Sequence, residues 1–232
     1  MGPDLPPAFL TRENLAAKPL ASRKVIAGSA LERALAIEIS RQCGAGCGAW
    51  NHLNGLVDSI PAQTVVSPEI VGECFAEIQA ILVAAGIVSA IFWPKPLPIR
   101  SSAQKAASVA RGKRMCVLLG VPDTSPLNDK VLRNSIEHVD ERFEDHHAAF
   151  GPGQFDDFYL ARRSPAGFVL PSSCARAYIY QQNELWLFGE HRDLQTISRA
   201  LWDLGDSFTV PLTVKQHYSP DGSAVTSFIR VE

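Results

Sequence analysis

Apolar residues recur at helical spacing through the first 150 positions and give way to alternation beyond about residue 172. Ser29-Ala30-Leu31-Glu32 has capping-box spacing, with a serine hydroxyl and a glutamate three residues on to satisfy the opening amides. It predicts a helix to about Gln42, interrupted by glycines 44, 46 and 48, with a second helical piece over 49–59. Ser67-Pro68-Glu69 combines a cap, a first-turn proline and an acid near the positive dipole end. That helix should reach Trp93, where Pro94, Pro96 and Pro98 stop it. Ser101 or Ser102 opens a third helix, closed by Gly120 and Pro122. Ser125-Pro126 opens a fourth, running to roughly Phe150, with Leu132, Ile136, Val139 and Phe143 as its buried stripe.

The segment from Gly151 to Ser173 is rich in glycine and proline and reads as a linker or loose loop. Ala175–Tyr180 and Leu185–Phe188 form a predicted hairpin. Arg192–Leu204 is amphipathic, with Leu194, Ile197, Leu201 and Leu204 on one stripe and Gly205 as its C-cap. Phe208–Val214 and Val225–Val231 make a last hairpin around Pro220-Asp221-Gly222. Trp186, Phe188, Trp202 and Phe208 read as core of this unit, with Tyr178 and Tyr180 on the outer strand face as a base-stacking alternative. The fold class is therefore mainly α. An irregular arm (1–27) precedes a four- or five-helix bundle (28–150), a linker (151–171) and a small α+β unit (172–232) of two hairpins and one helix. About 60 residues are marginal alone, so that unit should lean on the helices.

Composition narrows the function classes. A chain of 232 residues with 46% hydrophobic and 20% charged content can bury a sizeable core, which excludes disorder for most of it. A net charge of −2 means that nucleic-acid binding must rest on a local patch. The third helix is one candidate: Arg100, Lys105, Arg111, Lys113 and Arg114 stand there with no acid among them. Five scattered cysteines fit packing thiols in a reducing, cytoplasmic setting. The start of the chain has no secretory character, and Ile78–Trp93 is too short to span a bilayer, so no membrane role is expected.

The chemically suggestive stretch lies on the fourth helix. Asn134 and His138, four apart, share a side opposite the apolar stripe, with Arg133 beside them. Arg133, Asn134, three further residues and His138 resemble the Arg-Asn-x-x-x-His signature of HEPN ribonucleases, and the bundle with its motif on a late helix is similar too. The resemblance covers about residues 28–150 and leaves the C-terminal unit outside it. It implies metal-independent cleavage of RNA by the neighbouring 2′-hydroxyl, of the toxin or defence kind. His138, with an unperturbed pKa of about 6.5, would move protons. Arg133 would hold the scissile phosphate, and Asn134 would orient the imidazole or bond the phosphate. Lys130, Arg142, Arg111 and Arg114 would bind substrate. The displacement wants both a base and an acid, and a homodimer with facing motifs, as in HEPN ribonucleases, would supply the second histidine.

Glu137, Asp140, Glu141, Glu144 and Asp145 crowd the motif, and an RNA backbone would be repelled by them unless they are paired. The alternative is a non-catalytic HEPN-like interaction or nucleotide-binding module acting as a homodimer, its C-terminal hairpins docking a protein partner by strand addition. A metal reading through His138, His146, His147, Glu141 and Asp145 lacks known ligand spacing, and His146-His147 reads as exposed. No metal and no cofactor are expected.

Overall fold

The computed structural model describes residues 22–61, 65–130, 133–134, 138–150, 156–163, 174–211, 213–218 and 224–230. The protein is mainly α with a C-terminal α+β unit. Strand β1 (Lys24–Val25) precedes α1 (Ala30–Asp58), α2 (Pro68–Phe92), α3 (Ser102–Leu119) and a 3₁₀ turn (Pro126–Asn128). Then come α4 (Val139–Phe150), β2 (Asp156–Ala161), β3 (Cys174–Ile179), β4 (Glu184–Leu187) and β5 (Glu190–Asp193). The chain continues through α5 (Leu194–Ser207), β6 (Phe208–Thr209), β7 (Thr213–Tyr218) and β8 (Ala224–Arg230).

Local chemistry sets the helix ends. Ser29 and Glu32 form the expected capping box on α1, and Ser101 with Gln104 forms another on α3. Ser67 caps α2 ahead of Pro68, and Gly120 closes α3 in the left-handed conformation at φ 70°. The amide and hydroxyl of Ser29, then Arg114, hold the Glu32 carboxyl below its usual pKa.

Helix α1 does not break at its glycines. It runs unbroken for 29 residues, and at Gly46 the cost of glycine is offset by close packing. A Cβ on Gly46 would lie 2.7 Å from Leu201 Cδ1 and 3.3 Å from Ala84 Cβ, so α1, α2 and α5 meet at this backbone. Gly205 repeats the device from the other side. It is helical rather than a C-cap, and a Cβ there would lie 2.8 Å from Cys43 Cβ.

Helix α2 starts ten residues before the apolar run singled out in the sequence, and its 25 residues are long and apolar enough to cross a membrane by length and composition. Its most apolar window is 56% buried within the fold, where Cys74, Phe75, Ile78, Ile81, Leu82, Ala85 and Val88 face α1 and its neighbours.

The predicted fourth helix is broken. The 3₁₀ turn ends at Asp129, whose extended backbone (φ −88°, ψ 105°) stops it, and α4 begins at Val139. Between them Arg133 and Asn134 are helical. Leu132 and Ile136 lie outside the described residues; Val139 is exposed rather than part of a buried stripe, and Phe143 is half-buried against Phe188.

The predicted linker contains β2, which pairs in parallel with β3 and heads a four-stranded sheet of order β2-β3-β4-β5. The β3–β4 hairpin is as expected, with Ala177 opposite Trp186. Strand β5 turns back through Phe188 and Gly189, both at positive φ. The end of the expected irregular arm pairs with β6, Lys24 opposite Phe208. The last hairpin is β7–β8; its Pro220-Asp221-Gly222 turn lies outside the described residues. Tyr178 is fully buried, with its hydroxyl donating to Asn183 Oδ1 at 3.1 Å, so it offers no outer face for stacking. The sheet and α5 share one apolar core with α1 and α2, in which Leu185, Leu194, Ile197 and Leu201 touch the same cluster as Ile39, Leu53 and Ile78.

Candidate functional site

The prolines after α2, one face of α3 and the described residues after the 3₁₀ turn stand around a common space. A cleft of about 1050 Å³ opens between them. One helical face of α3, Val109, Lys113, Cys116 and Val117, forms a wall. Trp93 and Lys95 come from the end of α2, and Lys130, Arg133 and Asn134 from the motif segment. The volume suits a small organic ligand. Among the described residues, the lining is apolar except for these cations, Asn128, Asn134 and Asp123. Lys95, Lys113 and Lys130 form no ion pair among the described residues. Four cations from three chain segments thus gather around an apolar floor in a chain of net charge −2, which favours an anionic ligand.

Arg133 is 6% exposed, the reverse of the outward-facing position the helical pattern predicts. Its Nη1–H donates to the Trp93 carbonyl at 2.8 Å, so the guanidinium caps the negative end of α2 while lining the cleft. Asn134 lines the cleft and is half-buried. His138 is absent from the lining; its Nδ1 lies 3.7 Å from Glu141 Oε1 near the surface. The two residues remain joined along the backbone, since the His138 N–H donates to the Asn134 carbonyl at 3.1 Å. Arg133 and Asn134 therefore come together in the cleft, and His138 stands one helical turn beyond it.

The predicted binding residues divide. Lys130 lines the cleft. Arg111 and Arg114 lie off the α3 face that does so, and Arg114 Nε–H donates to Glu32 Oε1 at 3.2 Å. Arg142 is half-buried on α4, outside the lining. Lys113 appears in the sequence only as one cation of a basic helix, and Trp93 only as a helix end. Lys95 and Asp123 carry no sequence signal of their own.

Cys116 is the one thiol in the lining, and burial, then the nearby Asp123 carboxylate, push its pKa up. A thiol held neutral is a poor nucleophile. Cys43, Cys47 and Cys74 are likewise pushed up by burial, to about 12, 11 and 11. His146, expected to be exposed, is buried with its ring 6.1 Å from Phe188, whereas His147 is exposed. Among the described residues no three His, Cys, Asp or Glu side chains gather into a metal-ligating group.

No protein-family model matches the chain, and no curated protein or solved structure matches it.

Proposed function

We propose that this protein is a non-catalytic, HEPN-like binding module whose ligand carries phosphate: a nucleotide, or the single-stranded end of an RNA, held in the cleft that α3 lines together with Lys130, Arg133 and Asn134. The observation that carries this reading is the lining itself. Among the described residues, three lysines without an ion pair and a buried arginine line an apolar surface that includes Trp93. Lysines offer point charges to phosphate oxygens, and the aromatic and aliphatic wall desolvates a base. Net catalysis is not required by this geometry, because His138 stands outside the lining and faces Glu141.

A second reading is favoured by one specific observation. Asn134 lies in the cleft, and His138 follows it by a single helical hydrogen bond. A second copy facing the first would bring two such histidines to one RNA strand, as the metal-independent mechanism wants. One experiment separates the two readings. Total RNA is incubated with the protein in EDTA, and both retention and cleavage are followed for the wild type and His138→Ala. The binding reading expects RNA retained and uncut by both proteins. Cleavage by the wild type that His138→Ala abolishes would replace it with the ribonuclease reading.

A further inference from the structure

One lining residue is out of place in a site for phosphate alone. Asp123 puts a carboxylate among the cleft cations, where it repels any polyanion that enters. It is also held firmly. The Trp93 indole Nε1–H donates to Asp123 Oδ1 at 3.0 Å, and the Asn128 side-chain amide donates to the Asp123 carbonyl at 2.9 Å. The Ser125 amide closes the turn on Pro122 O at 3.0 Å. Among the described residues, Oδ2 accepts no hydrogen bond and no lysine pairs with this carboxylate. A fixed carboxylate with an open oxygen, next to a tryptophan, is an acceptor prepared for a donor on the ligand.

We infer that the cleft takes a nucleotide whose base presents paired N–H donors, guanine above all, with Asp123 as the acceptor and Lys113 and Lys130 on the phosphate. This rests on the cleft being the ligand site and adds which base it prefers. Guanine offers a ring N1–H and an exocyclic N2–H side by side, one for the open Oδ2 and one for the second lone pair of Oδ1, whose first takes the Trp93 indole. Hypoxanthine lacks the amino group. Adenine has an amino group but a ring acceptor beside it, and uracil flanks its single N–H with two carbonyls that face the carboxylate with like polarity. Trp93, fixed by the same hydrogen bond, provides an aromatic surface next to the base.

The test is calorimetric titration of the full chain with GMP, IMP, AMP and UMP, for wild type, Asp123→Asn and the double variant Lys113→Glu/Lys130→Glu. Asparagine keeps an acceptor for the Trp93 indole while removing the charge and one of the two acceptor oxygens. Wild type should bind GMP about tenfold or more tighter than IMP and UMP. Asp123→Asn should change the two ends in opposite directions. GMP weakens because one of its two acceptor oxygens and the charge on it are lost, and UMP tightens because a negative charge leaves the cleft. The lysine reversals should weaken all four. Equal affinity for all four bases, unchanged in Asp123→Asn but lost on lysine reversal, would overturn the base preference and leave the cleft reading intact. No binding of any nucleotide, or binding indifferent to the lysine reversals, would overturn both.

Discussion

Arg133 shows how one residue serves stability and site together. Its side chain is buried because the last carbonyls of α2 need a donor, and a guanidinium there also meets the negative end of the helix dipole. Nothing local in the sequence reveals this, since the partner carbonyl lies 40 residues away. The helical pattern around residue 133 therefore predicts the wrong face. The same contact region depends on Gly112 of α3, where a Cβ would lie 2.3 Å from Phe92 O and 2.6 Å from Pro94 Cδ. The nearest atom belongs to backbone, so it cannot swing aside. Gly112→Ala should destabilise the protein by about 1–3 kcal/mol through overpacking. Urea unfolding would read that as a lower midpoint at an unchanged slope. An unaltered midpoint would mean that α3 does not sit this close to the end of α2.

At the level of elements, the starts of α1, α2 and α3 were legible, whereas Ser125-Pro126 opens only a 3₁₀ turn and the unbroken run of α1 was not foreseen. Ser29, Ser67 and Ser101 each announce a cap through hydroxyl and acid or amide spacing, which is local chemistry. Of the glycines of α1 that suggest a break, Gly46 admits Leu201 and Ala84 from other helices, while Gly44 and Gly48 face open space within an unbroken helix. Strand β2 was hidden in a glycine- and proline-rich stretch. It exists through pairing with β3 and through Arg176, which bonds both oxygens of Asp157 at 2.8 and 2.6 Å and lies 4.1 Å above the Phe158 ring. Another cross-element tie bears on the site. Arg192 of β5 bonds the Asp129 carboxylate, and the Asp129 carbonyl in turn accepts the Arg133 amide at 3.2 Å. The C-terminal sheet thus fastens the start of the segment that closes the cleft. Arg192→Ala should leave the far-ultraviolet circular dichroism unchanged yet weaken nucleotide binding by roughly two- to tenfold, a half-buried ion pair being lost. Undiminished affinity in the folded variant would show that the cleft wall does not depend on this tie.

Across the whole molecule, a mainly α architecture with an α+β tail follows from the change in hydrophobic period near residue 172. The joining of its parts does not. Leu185, Leu194, Ile197 and Leu201 enter the same core as α1 and α2, so the tail supplies interior to the helices instead of merely leaning on them. Contacts between residues so distant in sequence leave no periodic trace. The motif was legible as a string, Arg133 to His138, yet the cleft that gives two of its residues a setting draws on Trp93, Lys113 and Asp123 from other segments. The central claim is that this cleft is where a phosphate-bearing ligand binds. Trp93 reports on it directly, because it lines the cleft with its indole N–H bonded to Asp123, and the chain has only four tryptophans. The measurement is a two-dimensional ¹H–¹⁵N spectrum of the indole region during titration with GMP, with the Trp93 signal assigned from its loss in Trp93→Phe. The expected result is a saturable shift of that signal while those of Trp50, Trp186 and Trp202 stay in place. A Trp93 signal that holds still at saturating nucleotide, or movement confined to the other three, would contradict it.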